Sequence, residues 1–520
     1  MNWARATGGL LALLWIVRLW WIPSQADLSL SMSHDSAYIL QLARNLENGK
    51  GFVNDATFLT FLNLGTPPVP YHNANPLYAC LIVMAAKMTG WALPAAGVAI
   101  SVTAHILAVV LMFLILRRLG FSPTAACAGA GVAGLFPSIW RESYTILPDM
   151  LTLFWMLLAV FLVIESVERR SYGWWAMAGM AFGLAWLTRS TALLLLPGLA
   201  WYGWRKGRGW RDVGRFAVAF ALMALTCLPW LLHTWRTWGN PFRSDTTWSG
   251  LQDYYTRQQG SDIFYMWFSP VTPPAMGEIL SREGRQLALF VLGNLPHYVY
   301  NILRGWFPGH MAVCVLFGCW ALLAIWVSRF WTRRWTPGAE AWLLLVATSF
   351  AAMTLRPMTI EVRYLNLSTF VLCAGLGAIL VTQALEQRRA WLVAPLAVFV
   401  AICGALNATH TRDSRQPSEP MLHAREVMRS AQRYYTHDEL VATDRPYFWA
   451  YFMEKPALAP AVLPGNALAA YLKTHGCRWL LLHTDSAEKL QKLSPREWTA
   501  KWRTRFVWPE DAILFERIED

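Results

Sequence analysis

Charge is what this chain of 520 residues has least of: Asp, Glu, Lys and Arg make up 15%, against 55% hydrophobic residues. An ordinary water-soluble enzyme carries about 25% charged residues, so that class is excluded. Cysteine is scarce where it would matter, because only Cys477 lies in the polar carboxy-terminal tail and the other seven of the eight fall in or beside apolar segments. The tail therefore holds no internal disulfide. Short-period repeats, heptads and low-complexity tracts are also missing. The one literal dinucleotide fingerprint, GAGVAG from Gly129 to Gly134, sits in an Ala-rich apolar segment without a preceding strand. Close helix packing through small residues explains it better than nucleotide binding.

What is present in quantity is apolar length. A spanning helix needs roughly 17–25 mostly apolar residues, and candidates run at about 8–24, 76–91, 95–116, 122–138, 147–164, 172–188, 191–204, 213–233, 311–328, 339–355, 365–384 and 390–407. The net charge of +13 sits in short loops between them: Arg117/Arg118, Arg169/Arg170, Arg205/Lys206/Arg208/Arg211, Arg329/Arg333/Arg334 and Arg388/Arg389. Such cations mark the cytoplasmic face, and no basic aromatic-bearing domain accompanies them, so nucleic acid is not an expected partner. Arg18 and the Trp20/Trp21 pair make the first segment an uncleaved anchor. Arg388/Arg389 before the last span put the tail outside, which with a cytoplasmic amino terminus requires an odd count, roughly 11 or 13. The weakest candidates are 76–91 and the pair 172–188/191–204.

The fold expected is an all-α polytopic membrane domain over 1–408, with external loops at about 25–75 and 236–310, followed by a small extracytoplasmic α/β domain over 409–520. In that tail, ELVATD, RWLLLHTD and DAILFERI read as strands and ALAAYLKTHG as a helix with a Gly stop. The first loop holds an amphipathic helix at about 36–48, with Tyr38, Leu42 and Leu46 on one side and Gly49 as its stop, lying along the membrane surface. A second interfacial helix is expected within LALFVLGNLPHYVYNILRGWF.

Candidate functional residues cluster in the external segments. Asp35 reads as the N-cap of the 36–48 helix, a place that fixes a carboxylate yet leaves one oxygen for a reactant; capping alone is the plainer reading. His34 beside it is a candidate metal ligand. Glu142 and Asp149 flank the start of the fifth span, and Asp149 directly precedes a long apolar run, where a carboxylate is costly without a partner or a role. Arg356 and Arg363 lie in a short external link, either snorkelling to headgroups or gripping a phosphate with the guanidinium fork. His72, Asn75 and Tyr78 line the exit of the first loop as candidate substrate contacts, and Arg189 is an anion contact or an interface anchor.

The stretches HDSAYILQLARNLENGKGF, HNANPLY, YTILPDMLTLFW, GLAWLTRSTALLLLPGLA and EVRYLNLSTFVLCAGLGAIL, in this order, resemble the GT-C superfamily of integral-membrane glycosyltransferases. The branch is that of the protein O-mannosyltransferases and the bacterial aminoarabinose transferase of lipid A. The resemblance implies a sugar donor on polyprenyl phosphate, a lipid, glycan or protein acceptor outside the cytoplasm, and a bacterial inner membrane. It implies Asp35 as the first-loop catalytic carboxylate, Asp149 as the carboxylate heading a later span, and Arg363, with Tyr364 after it, near the donor phosphate. His34 and HNANPLY depart from the family's commoner acidic pair and HPPLY, which leaves a divalent cation and the sugar open. A ligase using a diphosphate-linked donor and a secondary transporter are the competing readings; the single long first loop and the lack of inverted halves weigh against the transporter.

Overall fold

In the computed structural model the described residues are 33–57, 65–71, 76–206, 213–242, 276–293, 366–387, 394–413, 419–434, 439–508 and 512–518, with Ile16, Tyr254 and Phe268. Among them, three helices are long and apolar enough to cross a membrane: Leu93–Arg118, Asp149–Arg169 and Val213–Trp238. Shorter apolar helices pack around them, including Leu77–Thr89, Pro123–Leu135, Tyr172–Thr188 and those within Asn366–Gln387 and Ala394–Asp413. The expected segment 76–91 forms only 13 helical residues, about 20 Å at 1.5 Å per residue and short of a hydrocarbon core of about 30 Å. The expected segment 122–138 breaks at Phe136, where the backbone turns extended before Pro137–Glu142. Segments 8–24, 311–328 and 339–355 lie outside the described residues, apart from Ile16.

Small residues set the helix spacing. A Cβ on Gly129 would meet the Ala374 carbonyl oxygen at 2.3 Å, and one on Gly134 would meet Val109 at 2.5 Å. The GAGVAG run therefore lies inside helix 123–135 and lets helices 366–387 and 93–118 approach it closely.

The helix of the first loop differs from its expectation. It runs His34–Glu47, and Ser33 is its N-cap, accepting from the Ser36 amide. Asp35 is not the cap but a first-turn residue, because Ser33, an equally good capping type two positions earlier, starts the helix sooner. The helix is also enclosed by protein rather than exposed on one face. From Ser36 to Ala43 every side chain is buried, polar Ser36 and Gln41 included. It lies against helix 77–89 on one side and Pro446–Met453 of the tail on another.

The tail is built on a six-stranded sheet. Its strands are β2 (Ala56–Thr57), β4 (Val441–Thr443), β5 (Ala457–Leu458), β6 (Trp479–His483), β7 (Trp502–Trp508) and β8 (Ala512–Arg517), in the order β2-β5-β4-β6-β8-β7. The three expected strands and the helix Gly465–Thr474 are all present. Three strands of the sheet were not expected: the two-residue β5 is one of them. Edge strand β7 follows helix Pro495–Lys501, and β2 comes from the first loop, pairing in parallel with β5 through Ala56 opposite Ala457. In the same loop β1 (Val53–Asn54) pairs antiparallel with β3 (Val69–Pro70). One hydrophobic core runs without interruption from the bundle through Tyr38 and Tyr71 to Tyr447, Trp449 and Leu481 of the tail. A second core beneath the sheet takes in Phe268 of the second loop, whose carbonyl accepts from the Val462 amide at 2.8 Å. In the second loop, Met276–Gly293 is helical with a break at Glu283, and 294–310 lies outside the described residues.

Candidate active site

The site is built at one end of the bundle by a polar chain inside an apolar interior. Tyr78, in the first turn of helix 77–89, places its hydroxyl 2.9 Å from the Gly97 carbonyl and 2.8 Å from Ser101 Oγ. Ser101 Oγ donates on to the Thr145 carbonyl at 2.9 Å. Tyr78 and Ser101 thereby tie two helices to the turn joining Glu142 to Asp149. That turn is closed from within as Thr145 Oγ1 donates to the Glu142 carbonyl at 2.7 Å and stands 3.3 Å from its carboxylate. A polar residue within an apolar helix was the available signal for Ser101, and sequence reading passed it over.

Asp149 opens helix 149–169, its carboxylate in the first turn, where unpaired backbone N–H groups favour negative charge. The side chain is only 4% exposed, and its Oδ1 lies 2.5 Å from Arg189 Nη1. Oδ2 is buried too, with no hydrogen-bond partner among the described residues. Arg189 sits where helix 172–188 stops and the backbone turns extended before the short helical turn Ser190–Leu195. Two residues that sequence reading treated separately are thus one ion pair, formed 40 positions apart. Glu142 is 6% exposed, with Arg141 3.5 Å away. Tyr78 is 1% exposed and serves the helix contact just described.

Asp35 is exposed on the first turn of helix 34–47, while the rest of that helix is locked in place. His34 is the first helical residue, its side chain outside the described set. His72, Asn75, Arg356, Arg363 and Tyr364 lie outside the described residues. No three His, Cys, Asp or Glu side chains come together to hold a metal ion among the described residues.

The other end of helix 149–169 carries Arg169 and meets Arg118. Arg118 and Arg169 converge there on Glu165, at 2.5 and 2.6 Å. Helix 394–413, which leads into the tail, is held to the end of helix 123–135 as Asn407 donates to the Leu135 carbonyl at 2.8 Å.

This architecture matches known proteins over its full length. The crystal structure of the Archaeoglobus fulgidus oligosaccharyltransferase in the apo form superposes with a TM-score of 0.60 at 14% identity, covering 99% of this chain and 74% of that one. ArnT from Cupriavidus metallidurans, crystallised with undecaprenyl phosphate, superposes with a TM-score of 0.53 at 12% identity, covering 99% of this chain and 98% of that one. The chain has the fold of the GT-C membrane glycosyltransferases. In sequence, residues 72–233 match the dolichyl-phosphate-mannose-protein mannosyltransferase family. The undecaprenyl phosphate-alpha-4-amino-4-deoxy-L-arabinose arabinosyl transferase of Pseudomonas aeruginosa is 27% identical over 361 residues, 61% of this chain. The match spans 63% of that relative's length. The family match covers Tyr78, Glu142, Asp149 and Arg189, so the buried pair lies within the matched region.

Proposed function

We propose that the chain transfers a sugar from a polyprenyl-phosphate donor to an acceptor on the outer side of a bacterial inner membrane, with inversion at the anomeric carbon. One observation carries the reading: a buried carboxylate–guanidinium pair, Asp149–Arg189, with one carboxylate oxygen left over, stands at the end of the bundle from which helix 394–413 leads into the tail. A half-satisfied buried charge is expensive in a purely structural role and useful in a site.

In this mechanism Asp35 takes the proton of the acceptor hydroxyl as its oxygen bonds to the anomeric carbon. The bond from that carbon to the phosphate oxygen breaks, and its electron pair leaves with the polyprenyl phosphate. A phosphate is already a good leaving group, so no strong general acid is required; what matters is a base and positive charge. Arg363, with Arg356 or Arg189, meets the developing charge. The contact to Asp149 fixes the Arg189 guanidinium beside the start of helix 149–169, where its positive charge suits an anion. Glu142 is the second acidic candidate, and His34, His72, Asn75, Tyr78 and Tyr364 remain candidates for positioning either substrate.

The test uses purified protein and labelled undecaprenyl-phosphate aminoarabinose, the donor suggested by the relatives' names. Release of undecaprenyl phosphate dependent on an acceptor supports the reading. Consumption of a diphosphate-linked donor alone would assign a ligase, and vesicle uptake without bond cleavage a transporter. At Arg363, Lys keeps the charge but lacks the planar fork, so turnover at subsaturating donor should fall from wild type to Lys to Ala. Equal turnover in all three would move the phosphate site to Arg189 or Arg356.

A further inference from the structure

We propose that the tail carries a second carbohydrate site, built from residues the transfer reaction does not use, which takes one edge of a sugar residue by two neighbouring hydroxyls. Sheet topology places it. β4 and β6 lie side by side and parallel, and their onward connections part: β4 leads through helix Pro446–Met453 to β5 on one flank, β6 through helices Thr484–Leu493 and Pro495–Lys501 to β7 on the other. Tyr447 and Trp449 of the first helix pack into the core shared with the bundle, whereas Ala487 and Leu490 of the second pack into the core beneath the sheet. Connections that leave to opposite faces open a crevice at the carboxyl ends of the strands, the place where open α/β sheets bind ligands. A cavity of about 90 Å³ lies there.

Its walls join apolar and polar groups. Helix Glu419–Ala431 contributes Ala424, Val427 and Met428, one face at helical spacing, and the strand ends contribute Asp444, Arg445 and His483. These three polar residues are half-buried and tied to the backbone. Asp444 Oδ2 accepts from the His483 amide at 3.1 Å, joining the end of β4 to that of β6. His483 Nδ1 accepts from the Asp485 amide at 3.4 Å, which leaves the ring proton on Nε2. The Arg445 amide donates to Thr443 Oγ1 at 3.2 Å. Among the described residues the Arg445 guanidinium, His483 Nε2 and Asp444 Oδ1 have no hydrogen bond.

The crevice thus offers an acceptor and two donor groups beside an apolar wall. A hydroxyl both donates and accepts, so two adjacent hydroxyls can satisfy carboxylate and guanidinium together while ring C–H groups lie against Val427 and Met428. The Asp444 carboxylate offsets the Arg445 charge and weighs against an anion. Size sets the reach: a cavity of about 150 Å³ takes a whole benzene ring, so this one takes the edge of a six-membered ring and leaves the rest of a glycan outside. Binding here needs no donor and no turnover.

The test is saturation-transfer NMR on the full-length protein in a detergent without a sugar head group, with methyl α-D-glucopyranoside as the probe. A saturable signal is expected, and added inorganic phosphate should not displace it. Arg445→Met keeps the stem and removes the donors; Asp444→Asn keeps the bond to the His483 amide and turns the free acceptor into a donor. Each should weaken binding about 10-fold or more, the scale of one hydrogen bond to a charged group, with thermal unfolding unchanged. Should Arg445→Met fail to fold, Asp444→Asn decides alone. Wild-type binding in the folded variants would put the sugar elsewhere, and displacement by phosphate would make the crevice an anion site. Either result, or no saturable signal from the wild-type protein, overturns the proposal.

Discussion

Helix 149–169 carries a buried carboxylate near each end, and the two are treated differently. At one end Asp149 has a single arginine and an oxygen with no hydrogen-bond partner among the described residues. About 24 Å away along the axis, Glu165 is fully buried, with a cation on each oxygen: Arg118 at 2.5 Å and Arg169 at 2.6 Å. Arg118 also reaches Glu168 at 3.3 Å, and Arg169 lies over the Trp174 ring at 4.7 Å. The Glu165 end is a closed knot of charges that ties the ends of two helices. The Asp149 end is left open on one side, as a surface that must still accept something would be.

The largest expected effect belongs to the proposed base. Asp35→Asn keeps helix propensity in the first turn and loses basicity, so turnover should fall at least about 100-fold while the protein still folds and inserts. Normal turnover in that variant would remove Asp35 from the mechanism. Asp149→Asn retains a hydrogen-bonding group for Arg189 but not the charge. Turnover is expected to drop about 10-fold with stability changed by no more than about 1 kcal/mol. A large loss of stability with normal specific activity would make the two ends equivalent.

At the closed end the expectation reverses. Glu165→Ala leaves two arginines facing each other, and breaking a fully buried pair costs about 3–5 kcal/mol. Arg118 and Arg169 are 41% and 51% exposed and can turn to solvent, so about 2 kcal/mol is expected, with turnover per folded molecule intact. Thermal unfolding in detergent measures it.

The smallest effect tests whether the closed arrangement works alike outside the membrane. In the tail, Glu516 is met by both Arg478 and Arg505. Burial pushes its carboxyl up, but the hydrogen bonds and charges of the two arginines outweigh it and hold the group below the usual carboxylate range. A folded value below the unfolded one gives stability that is full above about pH 4.3 and is lost as pH falls through the folded value. The tail should therefore lose a few degrees of melting temperature on acidification across that window, and Glu516→Gln should flatten the dependence. An identical acid profile in the variant would remove Glu516 from the account.

Much of this was legible in the sequence where local physics decides it. Apolar length marked helices 93–118, 149–169 and 213–238, and short strand-like runs marked β4, β6 and β8. Burial was less legible. By composition helices 149–169 and 213–238 look alike, yet 72% of the first one's apolar stretch is buried and 11% of the second's. Phe220, Leu225 and Trp235 stand exposed on helix 213–238, in the manner of a lipid-facing surface. The start of helix 34–47 was misplaced because Ser33 and Asp35 are both good caps, and only the competing backbone bonds choose between them. Asp149 and Glu142, singled out for their place before an apolar run, are both buried, but the partnership of Asp149 with Arg189 depends on packing between distant helices. Strand β2 was invisible for a similar reason, since two residues have no period to read. Cys477 is fully buried, its thiol pushed up to about 12 by burial. It will resist thiol reagents from either side, so a protease site inserted near Pro417 is the better probe of orientation.

The position of β2 at the edge of the tail's sheet sets an order on the making of this protein. Residues 56–57 leave the ribosome long before residues 457–458, and they wait through the insertion of the whole bundle for the strand they will join. A pairing of such long sequence separation closes late. A tail expressed alone, from residue 409 onward, would carry an uncovered edge at β5 in place of β2, the kind of edge that recruits other chains. Synthesis of residues 457–458 is therefore also the moment from which the segment around residues 56–57 can take its fixed place at the sheet edge.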